Sequence, residues 1–199
     1  MARGMILFGG MGVGDTTLGK AVAEKLCWPH FDLDDFIWRW DTELPFTVIR
    51  PRDEKISMLR EAISHHPHFV MSGSMFSFRK EFEDFFELAA FLTAPAEVRA
   101  ERIRKRELAR WGARVLPGGD MYESEGSIHK DYMACVRSYD EGTEKVFSRA
   151  QHEIWAGELS AKCPVLRLDG TRPVEENAQR LIEELRKTER RFYGENKGI

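Results

Sequence analysis

Met5-Ile6-Leu7-Phe8-Gly9-Gly10-Met11-Gly12-Val13-Gly14-Asp15-Thr16-Thr17 passes from an unbroken apolar segment into a glycine-rich turn and then into a helical pattern. A short continuous apolar run bounded by glycines reads as a buried strand. The turn that follows brings successive backbone N–H groups together at a helix N-terminus, an arrangement that binds anions. From Gly9 to Thr16 the spacing matches the phosphate-loop pattern GxxxxGK[ST] at every position but one, where Asp15 replaces lysine. A dinucleotide-type GxGxxG turn fits less well, because its spacing is met only loosely and Thr16-Thr17 suits a magnesium-bound triphosphate better.

The backbone part of such a site does not depend on the lysine. Gly9, Gly12, Val13, Gly14, Asp15, Thr16 and Thr17 are therefore assigned to ATP, with the Thr16 hydroxyl as a Mg²⁺ ligand. The charge is another matter. At ~4 Å and an effective dielectric of ~20 a unit charge pair is worth ~4 kcal/mol, so reversing the sign costs roughly twice that. Asp15 is expected to turn out of the site, since Gly14 leaves the backbone free to aim it away and an inward carboxylate beside phosphates is costly.

At 199 residues with 42% hydrophobic and 32% charged content the chain suits one globular domain that needs no disulfides. A net charge of −3 gives no basis for general nucleic-acid binding, which calls for a basic balance. Cys27, Cys135 and Cys163 are odd in number and widely spaced, so neither a disulfide framework nor a zinc site is indicated. With no signal-peptide pattern and no apolar run long enough for a membrane span, the expected location is cytoplasmic. Nothing here specifies an oligomeric state.

Apolar segments at 5–8, 30–33, 69–71, 88–93 and 165–168 alternate with helical stretches, which predicts a parallel sheet covered by helices on both faces. The last helix is marked by Val174, Ala178, Leu181, Ile182 and Leu185 on one face, with Pro173 and Glu175-Glu176 at its start. In open α/β sheets ligands bind beyond the carboxyl ends of the strands, where Gly9–Thr17, Asp32–Asp35 and Ser72–Ser74 all fall.

The phosphate loop, the Asp32-Leu33-Asp34 end of the second strand, an arginine-rich helix and a glycine-rich segment after it resemble the P-loop nucleoside-monophosphate and shikimate kinase group, which includes adenylate kinase-like proteins. The resemblance covers nearly the whole chain. It implies a P-loop NTPase fold of three layers, α/β/α, with a central, mainly parallel sheet of about five strands and a small lid. A single kinase-like domain over 1–192, a lid at about 110–126 and a frayed tail at 193–199 are expected. Asp32-Leu33-Asp34 is similar to the DxD of shikimate kinases, which implies that Asp32 supports Mg²⁺ and Asp34 anchors the acceptor hydroxyl. Alternatively, Asp34 or Asp35 caps the helix beginning near Phe36. The Asp-Gly-Phe-Pro-Arg motif usual in adenylate kinases is missing, and Ser72-Gly73 stands at its place.

Arg50 and Arg60 lie where this group holds its acceptor, and with Ser72 and Gly73 they complete the expected substrate contacts. Residues 99–114 carry seven basic side chains, and Arg99, Arg102, Arg106 and Arg110 fall within about 80° of helical arc. Arg102, Arg106 and Arg110 are assigned to the transferring phosphates, with Arg137 returning to them after the lid; Arg104 and Lys105 read as solvated partners of Glu101. The chemistry implied is transfer of the ATP γ-phosphate to a nucleotide or small metabolite. The alternative is a nucleotide-binding sensor or pseudokinase that has lost efficient transfer.

Overall fold

The computed structural model describes residues 2–42, 46–123, 128–143 and 147–194. Five strands form one sheet: β1 (Arg3–Gly9), β2 (His30–Asp32), β3 (His68–Ser72), β4 (Phe86–Thr93) and β5 (Val165–Asp169), in the order β2-β3-β1-β4-β5 and parallel throughout. The helices are α1 (Asp15–Leu26), α2 (Leu33–Ile37), α3 (Arg52–Ser64), α4 (Ala96–Trp111), α5 (Asp120–Glu123), α6 (Ile128–Ser138), α7 (Arg149–Leu159) and α8 (Val174–Gly194). The expected three-layer α/β/α architecture is the one observed.

The central strand explains the apolar run that opened the sequence. Met5, Ile6, Leu7 and Phe8 are all fully buried, because a parallel strand with neighbours on both edges and helices on both faces has no solvent side. Successive side chains face opposite layers. Ile6 and Phe8 join Met71, Ala89, Phe91, Leu59 and Trp155 in the core beneath α3 and α7. Met5 and Leu7 join Val22, Val70, Leu88, Ala90, Leu181 and Leu185 beneath α1 and α8. Burying each such side chain contributes about 1.5–3 kcal/mol, so this strand is the main apolar tie between the two outer layers.

The strand order makes β1 the switch point. Its neighbours β3 and β4 leave in opposite directions, which opens a crevice above the carboxyl ends of β2, β3 and β1. After α4 the chain forms a 3₁₀ turn at Gly112–Val115 and then α5. Residues 124–126 of the expected lid and 195–199 of the expected tail lie outside the described residues. Among the described residues no helix is long and apolar enough to cross a membrane.

Candidate phosphate and acceptor site

The turn after β1 is built for close backbone approach. Gly12 and Gly14 have φ of 78° and 102°, and Gly14 is the N-cap of α1, which has no side-chain cap. The N–H groups of its first turn thus have no backbone acceptor within the helix, the Thr16 N–H instead meeting the Asp15 carboxylate, and they carry the positive end of the helix dipole. Val13 N–H closes the turn on the Gly10 carbonyl at 3.0 Å, and the Val13 side chain is fully buried. These residues fit a phosphate group.

Arg102 holds this loop from the other side. Its Nη1 donates to the Val13 carbonyl at 3.0 Å and its Nη2 to the Gly170 carbonyl at 2.9 Å. Arg102 was expected to meet transferring phosphates from a lid; instead it clamps the phosphate loop to the turn after β5. The two carbonyls take two of the five N–H donors of the guanidinium.

Asp15 also corrects an expectation. The side chain does not turn away: it sits half-buried at the start of α1, within electrostatic reach of Asp32 and Asp34. Loss of water raises its pKa to about 7 against the pull of the Thr16 backbone N–H, and the two neighbouring carboxylates raise it further. The positive group of the usual loop is replaced here by an acid with a proton affinity near neutrality.

Asp32 ends β2 and caps α2, its Oδ1 accepting from Asp34 N–H at 3.2 Å. The cap expected at Asp34 or Asp35 is therefore supplied by Asp32, because α2 begins at Leu33 rather than near Phe36. Asp34 is open to solvent but lies in a concave setting, and that partial desolvation, with Asp32 beside it, raises its pKa to about 6. The Trp38 side-chain N–H and the Arg106 charge pull the other way. Among the described residues no group of three or more His, Cys, Asp or Glu side chains could hold a metal. Thr16, in the first turn of α1, and Asp32, at the end of β2, both stand at the carboxyl edge of the sheet and offer the oxygen ligands that Mg²⁺ takes.

The remaining assigned residues divide. Arg106 faces Asp34, with its Nε 3.4 Å from Glu107, while Arg110 lies over the Phe46 ring at 5.4 Å. Arg50 and Arg60 are instead held in ion pairs, with Glu54 at 2.9 Å and Glu81 at 3.1 Å. Ser72 is fully buried with its hydroxyl 2.9 Å from His30 Nε2, and Gly73 N–H is bonded to the Leu7 carbonyl at 2.9 Å. These contacts stabilise the floor of the crevice rather than presenting donors to a ligand. Arg137 is exposed in the last turn of α6, without an ion pair among the described residues. Arg99, on the same stripe, is an internal strut: it is 1% exposed and bonded to the Ala94 and Val136 carbonyls and to Asp140. Arg104 and Lys105 pair with Glu101, as their spacing predicts.

A family model described as Shikimate kinase matches residues 11–185. The chain belongs to the shikimate kinase family. It is 32% identical over 185 residues to the uncharacterized protein YqaC of Bacillus subtilis (strain 168), covering 93% of this chain and 98% of that one. Among solved structures it is similar to a shikimate kinase from Bacteroides thetaiotaomicron, with a TM-score of 0.52 and 21% identity over 92% of this chain and 98% of that one. A gluconokinase from Sinorhizobium meliloti 1021 gives a TM-score of 0.51 at 15% identity, covering 97% of each chain. These two likenesses concern the fold. As a shikimate kinase family member, the chain is a P-loop kinase-type protein, and the family supports phosphotransfer to a small metabolite.

Sequence reasoning missed one polar cluster of this family member. His152 on α7 is fully buried, with Nε2 2.7 Å from Ser74 Oγ and Nδ1 2.6 Å from the Tyr139 hydroxyl. Its three members are separated by long stretches of chain and carry no local motif. The only signal was a lone histidine within an otherwise amphipathic helix.

Proposed function

We propose that this protein transfers the γ-phosphoryl group of ATP to a hydroxyl of a small hydroxylated metabolite. The observation that carries the reading is the placement of Asp34: a carboxylate beside the phosphate loop, oriented by the Trp38 N–H and facing Arg106 across the crevice. Phosphoryl transfer asks little covalent chemistry of a protein and depends on positioning and charge stabilisation. The backbone N–H groups of Gly12 to Thr17 hold the donor phosphates. Asp34 accepts the acceptor hydroxyl's hydrogen bond and aims its oxygen, while Arg106 and Arg110 offset negative charge at the crevice mouth. Thr16 and Asp32 would hold Mg²⁺, which neutralises phosphate charge when bound.

A nucleotide acceptor, the adenylate kinase-like version of this activity, is less favoured, because Ser72-Gly73 replaces the Asp-Gly-Phe-Pro-Arg segment and both are committed to the crevice floor. Asp15 favours a second reading, a nucleotide-binding sensor without efficient transfer, because it places negative charge where phosphates arrive. ATP and Mg²⁺ incubated with shikimate, D-gluconate, nucleoside monophosphates and related hydroxy acids separate the two. Phosphorylated product from a hydroxy acid or polyol supports the proposal, whereas ATP binding with no product from any acceptor supports the sensor.

A further inference from the structure

Ser74, His152 and Tyr139 form a chain of hydrogen bonds whose direction can be worked out. The His152 ring is walled by Phe8, Phe76, Phe91 and Phe147, and among the described residues its hydrogen-bond partners are the two hydroxyls. That desolvation pushes its pKa down to about 3, so the imidazole is neutral and carries one proton. The Tyr139 side chain is 3% exposed, and among the described residues its hydroxyl has no acceptor other than His152 Nδ1. A buried hydroxyl proton left without an acceptor is costly, so Tyr139 donates to Nδ1. The proton of His152 is then on Nε2 and is donated to Ser74 Oγ. Ser74 accepts that bond, and its own O–H remains available.

This direction excludes the most obvious reading of a Ser–His pair. His152 cannot accept the Ser74 proton, because Nε2 already bears one, so Ser74 is not an activated nucleophile. It is an oriented donor.

The place at which it donates follows from the sheet. Asp32 and Ser72 are register partners on β2 and β3, and adjacent strands lie about 4.8 Å apart. Asp34 and Ser74 each stand two residues beyond that pair, at the lip of the same crevice, and Ser74 is half-exposed there. We infer that Ser74 positions the phosphoryl acceptor by donating its hydroxyl proton to a second oxygen of that molecule, with His152 and Tyr139 fixing the polarity of the donation. The inference rests on the phosphotransfer reading above and narrows the acceptor to a polyol or hydroxy acid, which offers an oxygen beside the hydroxyl that reacts. Tyr139 is itself held in place: Arg99 lies 4.7 Å over its ring, and a Cβ on Gly10 would come within 2.6 Å of it. The relay therefore packs directly against the phosphate loop.

Two measurements on the full chain test this. Histidine-selective ¹⁵N NMR reads the tautomer: Nε2 protonated in the wild type, with the preference lost in Tyr139→Phe, which keeps the ring and removes the donor. Steady-state kinetics with shikimate and with D-gluconate as probes reads the role. Ser74→Ala is expected to raise KM for the accepted probe roughly tenfold, equivalent to ~1.4 kcal/mol, with kcat and the KM for ATP unchanged, and Ser74→Thr to restore it. An Nδ1-protonated His152 in the wild type, or Ser74→Ala kinetics equal to wild type, overturns the inference. Absence of ATP-dependent phosphorylation of both probes by the wild type counts against the phosphotransfer reading, and the acceptor role falls with it while the tautomer result stands separately.

Discussion

Arg102 Nη1 lies 3.0 Å from the Val13 carbonyl oxygen, so a residue of α4 takes hold of the phosphate loop from behind. The same guanidinium reaches Gly170 after β5, and Nη1 would be 3.7 Å from a Cβ placed on Gly14. The clamp sets the loop's shape and brings a positive charge to its edge, opposite in sign to Asp15.

Arg102→Ala is therefore expected to lower both stability and nucleotide affinity. Two charge-assisted bonds to carbonyls are lost, which corresponds to roughly 2–4 kcal/mol in unfolding free energy. Arg104→Ala, which removes only a surface pair with Glu101, should leave both unchanged. Urea unfolding and calorimetric ATP titration of the two variants provide the comparison, and equal effects would mean that the clamp has no structural weight.

The inward carboxylate at Asp15 gives an opposite forecast for a gain of charge. Asp15→Lys should tighten ATP binding by about 100- to 1000-fold at fixed ionic strength, because several kcal/mol of electrostatic free energy change sign. Asp15→Asn should fall between the two. A Lys variant that binds no better than wild type would show that the side chain at this position does not reach the phosphates, whereas an Asn variant equal to wild type would show that the carboxylate is neutralised when they bind.

For Asp34, the expected result of Asp34→Asn is a fall in turnover of at least 100-fold with the dissociation constant for ATP nearly unchanged, since Asn keeps the shape but is a poor acceptor for the substrate proton. A parallel thermal melt checks that α2 survives. It should, because the cap of that helix is Asp32 and not Asp34.

His152 makes stability depend on pH. Its folded-state pKa is lowered to about 3 from an ordinary 6.5, so below pH 6.5 the unfolded chain takes up the proton first. Its contribution is complete above pH 6.5 and is lost as pH falls toward 3, with a limiting slope of ~1.4 kcal/mol per pH unit. Asp15 and Asp34, whose pKa values are raised, act in the opposite sense over part of this range. The difference between wild type and His152→Gln isolates the histidine, and urea unfolding at pH 7, 6 and 5 should show that difference shrinking as pH falls.

The sheet was legible because its strands are buried on both faces, which leaves continuous apolar runs such as Met5–Phe8 whatever else surrounds them. The phosphate loop was legible because its geometry is local, carried by glycines a few residues apart. The arginines were not. Arg99, Arg102, Arg106 and Arg110 share a helical stripe, yet one is a buried strut, one a clamp, one faces Asp34 and one lies over Phe46, because their partners Asp140, Val13, Asp34 and Phe46 come from distant segments. Periodicity tells which side chains look the same way and not what they meet. The direction of Asp15 was not legible for a related reason: Gly14 leaves the backbone free to aim it either way, and its burial near Asp32 and Asp34 involves a separate segment.

The position of β1 also sets an order of events during synthesis. Met5 pairs with Val70 and Leu88, and the Arg102 clamp closes on Gly170, all encoded long after the loop itself. As the chain is made, the phosphate loop precedes its supports, which arrive in sequence, the last of them with the turn after β5. Sheets that depend on such distant pairings form late. A chain interrupted before that turn presents the glycines without the frame that shapes them, so the loop takes its final form only after Gly170 has been made.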